Sequence, residues 1–159
     1  MNNKYGAEPQ TFEGILFDSR WELEVYKFIR RYIPSSHIIL KAKIAIKPKT
    51  KNYKAKYWRC DFVILGKDFN EVLLIEAKGV PTRDFKRQLQ LIDCNYPHLI
   101  DHIRIVQHQS TRIDERFKSL TLHDLIPELK VISFHINYKP KEEEEEEEDC
   151  YINGNCDTP

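Results

Sequence analysis

Asp61, Glu76 and Lys78 have the types and the spacing to act on a phosphate ester. Asp61 follows Arg59-Cys60 in a run rich in aromatic and β-branched residues, and Glu76-Ala77-Lys78 closes the apolar run Val72-Leu73-Leu74-Ile75. In a strand successive side chains alternate faces, so Glu76 and Lys78 point one way and Ala77 the other. Fourteen residues separate Asp61 from Glu76, enough for a hairpin to return Glu76 beside Asp61. Two carboxylates brought together repel, and a hard divalent cation removes that penalty. Mg²⁺ prefers one or two carboxylates, several waters and phosphate oxygens, and Mn²⁺ is its natural substitute. Such an ion polarises a phosphate and lowers the pKa of a bound water, while Lys78 can orient that water or stabilise developing charge. Taken alone, Asp61 is also a plain strand-edge charge, and Glu76 with Lys78 a same-face salt bridge worth under about 1 kcal/mol.

The surrounding sequence predicts the elements that must hold these groups. Asp18 or Ser19 is a good N-cap with Glu22 at the capping-box position. Trp21, Leu23, Val25, Phe28, Ile29 and Tyr32 then recur at helical spacing until Pro34 stops the helix. Ile38 to Ile46 alternates as a strand, Pro48 to Lys56 is a polar loop or hairpin tip, and Tyr57 to Leu65 is a second strand. Gly66 to Asn70 turns the chain into a third strand, Glu71 to Lys78, antiparallel to the second. Thr82 caps a helix to about Asn95 with Phe85, Leu89 and Ile92 on one side. His102 to Gln107 is a further strand, Leu120 to Leu125 a short helix, and Lys130 to Ile136 a last strand. Phe12 to Phe17 is a short strand or lead-in with a turn at Gly14. This order predicts an α/β fold, a mixed central sheet flanked by helices. It divides the chain into a flexible arm over 1–11, one domain over 12–139 and an acidic, disordered tail over 140–159.

An acidic residue on one strand followed by (D/E)-x-K on the next resembles the PD-(D/E)XK nuclease superfamily. Here the first element is Cys60-Asp61 where that signature has Pro-Asp, and Glu76-Ala77-Lys78-Gly79 fits the second. The resemblance spans about residues 12–110 and implies a restriction-endonuclease-like core. Phe17-Asp18-Ser19-Arg20-Trp21-Glu22 looks like the lead into the first helix of small phage nucleases related to endonuclease I, the junction resolvases. In those enzymes a glutamate of the first helix joins the metal site, and Glu22 is the matching position. The resemblance therefore implies catalytic roles for Glu22, Asp61, Glu76 and Lys78, metal held by Asp61, Glu76 and Glu22, and a phosphodiester substrate. It leaves the DNA open among four-way (Holliday) junctions, a long specific duplex site of the homing-endonuclease kind, and nonspecific duplex. A homodimer or higher homo-oligomer is implied, because one centre per chain cuts one strand.

The charge pattern agrees with a polyanionic partner. Net charge is zero over 159 residues, but residues 141–159 hold nine acidic residues against Lys141. That leaves 24 Lys+Arg against 16 Asp+Glu, a net of +8, in residues 1–140. From Lys41 to Arg59 there are eight basic residues and no acidic one, interleaved with Tyr53, Tyr57 and Trp58. Lys47, Lys49, Lys51, Lys54, Lys56 and Arg59 are the candidate DNA-binding residues of this strip. Arg83, Lys86 and Arg87, on the helix after the motif, are candidates for the passing phosphate backbone, with Gln88 or Gln90 as support. A solvated hairpin and a solvated helix face are the plain alternatives.

Other chemistries find no footing. Cys60, Cys94, Cys150 and Cys156 include no CxxC pair, and Cys60 and Cys94 read as buried thiols. His98 and His102 are four apart, but Pro97 and the strand at His102 argue against one shared helix face, and five glycines build no phosphate loop. No apolar run nears the roughly 18 residues of a membrane span, and the polar start carries no signal-like segment, so a cytoplasmic protein is expected. The competing classes are a nucleic-acid-binding module without catalysis and a protein-interaction domain using the acidic tail. Neither explains three carboxylates set to face a phosphate.

Overall fold

The computed structural model describes residues 8–68, 72–114 and 116–141. Two short strands, β1 (Gln10–Phe12) and β2 (Ile15–Phe17), pair through a two-residue turn. Glu13 and Gly14 both take positive φ there, 50° and 76°, the primed turn that suits strand twist. The segment read as an arm over 1–11 thus enters a strand at Gln10. Helix α1 (Arg20–Tyr32) follows, its Ser19 side chain accepting from the Glu22 amide at 3.1 Å. Three strands then run antiparallel: β3 (Ile38–Lys47), β4 (Lys56–Leu65) and β5 (Val72–Ala77). Helix α2 (Arg83–Asn95) returns the chain, and β6 (Ile103–Val106) adds parallel to β5. The result is a four-stranded mixed sheet, β3-β4-β5-β6, flanked by helices: an α/β fold consistent with a restriction-endonuclease-like core.

The two faces of the sheet bury separate cores. Phe62, Ile64, Leu73 and Ile75 pack with α1 residues Val25, Tyr26 and Ile29 on one face. Trp58, Cys60, Val63, Leu74 and Ile105 pack with Phe85, Leu89 and Ile92 of α2 on the other. Simple alternation along β4 would put Cys60 with Phe62, yet they lie in different cores. Strand β3 does the same, with Leu40 on the α1 side and Ala42, Ile44 and Ile46 on the α2 side. Both strands change face at one level, where Leu40↔Phe62 and Ala42↔Cys60 are paired and Lys41 takes φ 52°.

The C-terminal reading needs correction. Leu122–His135 is one helix, α3, with Thr121 and Asp124 closing a capping box; no strand forms over Lys130 to Ile136. The β-branched run Val131-Ile132 suggests a strand and Pro127 a stop, but burial decides otherwise. Leu125, Leu129 and Ile132, at helical spacing, fill the α1-side core. Cys94 is exposed, since it falls off the Phe85–Leu89–Ile92 face, whereas Cys60 is buried. Beyond β6, Leu120 forms a parallel bridge with Val106, next to a buried Ser119. Residues 1–7 of the arm, the tail from 142 onward and both tail cysteines lie outside the described residues. Among the described residues, no helix is long and apolar enough to cross a membrane.

Helical and strand periods bury different partners of Leu129. Leu129→Ala is expected to cost about 2–5 kcal/mol and Val131→Asp under about 0.5 kcal/mol, read from urea unfolding. A large loss at Val131 would restore the strand.

Candidate active site

The site is built where β4 and β5 part. Their ladder ends at Phe62↔Ile75. β5 is the strand between β4 and β6, so its amides alternate sides. The Lys78 amide goes to Val106 O of β6 at 2.9 Å, and the Ala77 amide, directed at β4, meets the Asp61 carboxylate at 2.9 Å in place of a backbone carbonyl. Asp61 is half-buried at this parting, while Glu76 is only 2 % exposed.

Glu76 is held on both oxygens. Trp58 Nε1 donates to Oε2 at 3.1 Å, and the Lys78 ammonium sits 2.5 Å from Oε1. Lys78 also lies 4.8 Å from the centroid of the Phe85 ring, which seats the ammonium against the first turn of α2. Glu76 and Lys78 therefore share a side, as strand alternation requires.

Glu22 enters from α1 and is 4 % exposed. It does not close the capping box its position suggests: Oε2 accepts the Asp18 amide at 2.6 Å, one residue before the cap. Its Oε1 is buried without a hydrogen-bond partner, with Lys41 Nζ 3.6 Å away. Asp18 in turn receives Lys41 at 2.9 Å and Arg59 at 2.9 Å, one on each oxygen.

The electrostatics record a surplus of negative charge. Burial, then the charges of Glu76 and Glu22, push the Asp61 carboxyl from 3.8 up to about 8; Lys78 and the Ala77 amide only partly oppose them. Burial also raises Glu76, against the pull of Lys78 and Trp58. Burial and these two acids hold the Cys60 thiol well above its ordinary 9.0. Burial alone would lower Lys78, but Glu76, Asp61 and Glu22 outweigh it and raise the ammonium's pKa. The side chains as they stand do not form a ready metal cage: among the described residues no three His, Cys, Asp or Glu are gathered to hold an ion. Each carboxylate turns instead to an amide, an indole or a lysine.

The four catalytic candidates, Glu22, Asp61, Glu76 and Lys78, are thus brought into one electrostatic unit. The basic strip lies apart from it on the β3–β4 arm. Lys49, Lys51, Lys54 and Lys56 are exposed, and Lys47 sits 4.5 Å from the centroid of the exposed Tyr53 ring. Arg59 is partly engaged by Asp18. On α2, Arg83 and Arg87 are exposed and Lys86 half-buried, with Arg87 3.8 Å from Asp84. Gln88 is half-buried and Gln90 exposed. Sequence reasoning missed Trp58 as the clamp on Glu76, and Lys41 and Asp18 as neighbours of Glu22. It also missed buried Gln107, whose Nε2 ties Gly79 O at 2.8 Å just past the motif. An aromatic three residues before Asp61 was the one legible signal among these.

The profile of a family described as "Protein of unknown function (DUF1064)" matches residues 2–111, a span that includes α1, α2 and, among the described residues, every strand from β1 to β6. No curated protein and no solved structure matches.

Because the folded pKa of Asp61 is raised, the folded chain keeps a proton that the unfolded chain releases above 3.8. Stability from this group is full below that value and falls as pH rises toward about 8. In EDTA, wild type is expected to melt several degrees lower at pH 8 than at pH 5. Asp61→Asn, which keeps an oxygen for the Ala77 amide, should melt above wild type at pH 8. Equal melting of the two at pH 8 would show that the buried charge carries no cost.

Proposed function

We propose that the chain, which belongs to the DUF1064 family, is a divalent-metal-dependent DNA endonuclease working at the parting of β4 and β5. One observation carries this reading: Asp61 stands at a seam where burial and the charges of Glu76 and Glu22 push its carboxyl up to about 8, more than Lys78 and the Ala77 amide offset. A binding module for nucleic acid gains nothing from such a cluster, which repels phosphate.

The donor chemistry, three carboxylates, suits a hard dication, which would have to draw the side chains from their present partners. Glu22 Oε1 is a buried oxygen with no hydrogen-bond donor, and Asp61 and Glu76 are held above the ordinary carboxylate range. Asp61 and Glu76 would hold the ion and Glu22 would complete the set, all hard oxygen ligands of the kind Mg²⁺ or Mn²⁺ takes. Bound there, the ion supplies Lewis acidity and a more acidic water.

The chain's own groups do the rest. Lys78 is held by Glu76 with its pKa raised, so it stays an ammonium. It is therefore a hydrogen-bond donor and a fixed positive charge for a phosphate oxygen, not the base that takes the proton. Trp58 donates to Glu76 Oε2 and so orients that carboxylate. Lys47, Lys49, Lys51, Lys54, Lys56 and Arg59 on the β3–β4 arm, with Arg83, Lys86 and Arg87 on α2, hold the DNA backbone. One centre serves one strand, so cutting both strands takes two copies of the chain. The place of work is inside a cell, with the DNA.

Supercoiled plasmid and a four-way junction, each in Mg²⁺ and in EDTA, test the reading against Asp61→Ala and Lys78→Ala. Cutting is expected only with metal, reduced on the order of 10²-fold or more by either substitution. Replacing Lys49, Lys51 and Lys54 by Ala should flatten the salt dependence of DNA binding by about one unit of slope for each phosphate the strip no longer neutralises. DNA bound but cut neither here nor in selection from a randomised duplex library would leave a binding module.

A further inference from the structure

Lys41 combines features that its place in a basic strip does not explain. Its φ of 52° is left-handed, a conformation that costs energy for any residue with a Cβ and that lysine does not favour. It stands at the level where β3 and β4 both change face, between the Leu40↔Phe62 and Ala42↔Cys60 pairs. The side chain leaves the solvent on which the rest of the strip borders: it is 22 % exposed. Its ammonium lies 2.9 Å from Asp18 Oδ1 and 3.6 Å from Glu22 Oε1. That Glu22 oxygen is buried and without a hydrogen bond, while its partner oxygen is fixed by the Asp18 amide.

The geometry gives Lys41 two partners of unequal kind. The pair with Asp18 is close and solvent-exposed on the acid's side, and Arg59 supports Asp18 from its other oxygen. The pair with Glu22 is longer, and among the described residues it is the nearest positive charge given to a carboxylate that is only 4 % exposed. A buried charge needs such a partner. A dication bound by Glu22 would supply the same neutralisation more strongly and repel the ammonium, which retains Asp18.

We propose that Lys41 is the resident countercharge of Glu22, a positioning residue that neutralises the carboxylate until a divalent cation takes Oε1 and Lys41 falls back on Asp18. The exchange rests on the metal-dependent reading above; the countercharge role in the metal-free protein does not.

Full-length wild type, Lys41→Met, Lys41→Arg, Glu22→Gln and the Lys41→Met/Glu22→Gln double variant separate the two. Each is melted in EDTA and titrated calorimetrically with Mn²⁺ without DNA. Methionine keeps the Cβ and the stem, so backbone strain is common to all. Lys41→Met is expected to melt below wild type, and adding Glu22→Gln to restore much of the loss, because the stranded carboxylate is gone. Lys41→Arg should behave as wild type. Mn²⁺ should bind Lys41→Met about tenfold more tightly, the repulsion expected of a cation roughly 6 Å from a dication even at the dielectric of water.

Unchanged melting of Lys41→Met, or no recovery in the double variant, would overturn the countercharge. Unchanged or weaker Mn²⁺ binding by Lys41→Met, with wild type binding normally, would overturn the exchange and leave the nuclease reading intact. Wild type that takes up no Mn²⁺ would overturn the exchange together with the metal-dependent reading, and the melting series alone would then decide the countercharge.

Discussion

The Asp61 carboxylate occupies a place in the sheet that a backbone carbonyl would otherwise fill. By accepting the Ala77 amide it satisfies β5 while letting β4 part from it. Everything distinctive in the molecule lies at that parting. Glu76 stays buried because β5 continues to pair with β6, and Lys78 is aimed back at it because the chain leaves the sheet one residue later. A ladder closed by backbone alone would have no opening in which three acids could meet a ligand.

The second constraint is the shared change of face at Lys41 and Asp61. A sheet with a core on each side normally lets a strand contribute alternately to both. Here the outer halves of β3 and β4 give their large side chains, Ile44, Ile46 and Trp58, to the α2 side, while the inner halves give Leu40, Phe62 and Ile64 to the α1 side. The change brings Trp58 within reach of Glu76 and frees Lys41 to reach Glu22 on α1. The cost of one left-handed lysine, on the order of 1–2 kcal/mol, is set against the joining of both helical layers to one seam.

Local patterns carried much of this fold. Caps at Ser19 and Thr82, the helical spacing of Val25, Phe28 and Ile29, and the strand runs through Ile44, Val63 and Leu74 fall within a residue or two of their observed bounds. Each depends on residues near one another in the chain, and so does the pairing of Glu76 with Lys78. What was not legible depends on distance. The alternation from Ala42 to Lys47 carries no sign that the strand changes face before it, and nothing in a lysine announces a left-handed turn of the backbone. Glu22 was placed correctly on its helix, but the partner of its carboxylate is Asp18, fixed by the approach of Lys41 and Arg59 from other strands. Pro127 and Val131 spoke locally for a break and a strand, and the core beneath Leu129 overruled them.

The indole that clamps Glu76 has an optical consequence. The chain contains two tryptophans. Trp58 is 2 % exposed with its ring nitrogen on the Glu76 carboxylate, and Trp21 lies tilted against His108, ring centroids 3.7 Å apart, with its own nitrogen on Val106 O. Trp58 therefore borders the seam itself, whereas Trp21 stands at the end of β6. Indole emission follows the charge beside the ring, so any event that alters the charge on Glu76 is written into the intrinsic fluorescence of the unlabelled protein. The molecule carries its own reporter at the place where its chemistry would occur.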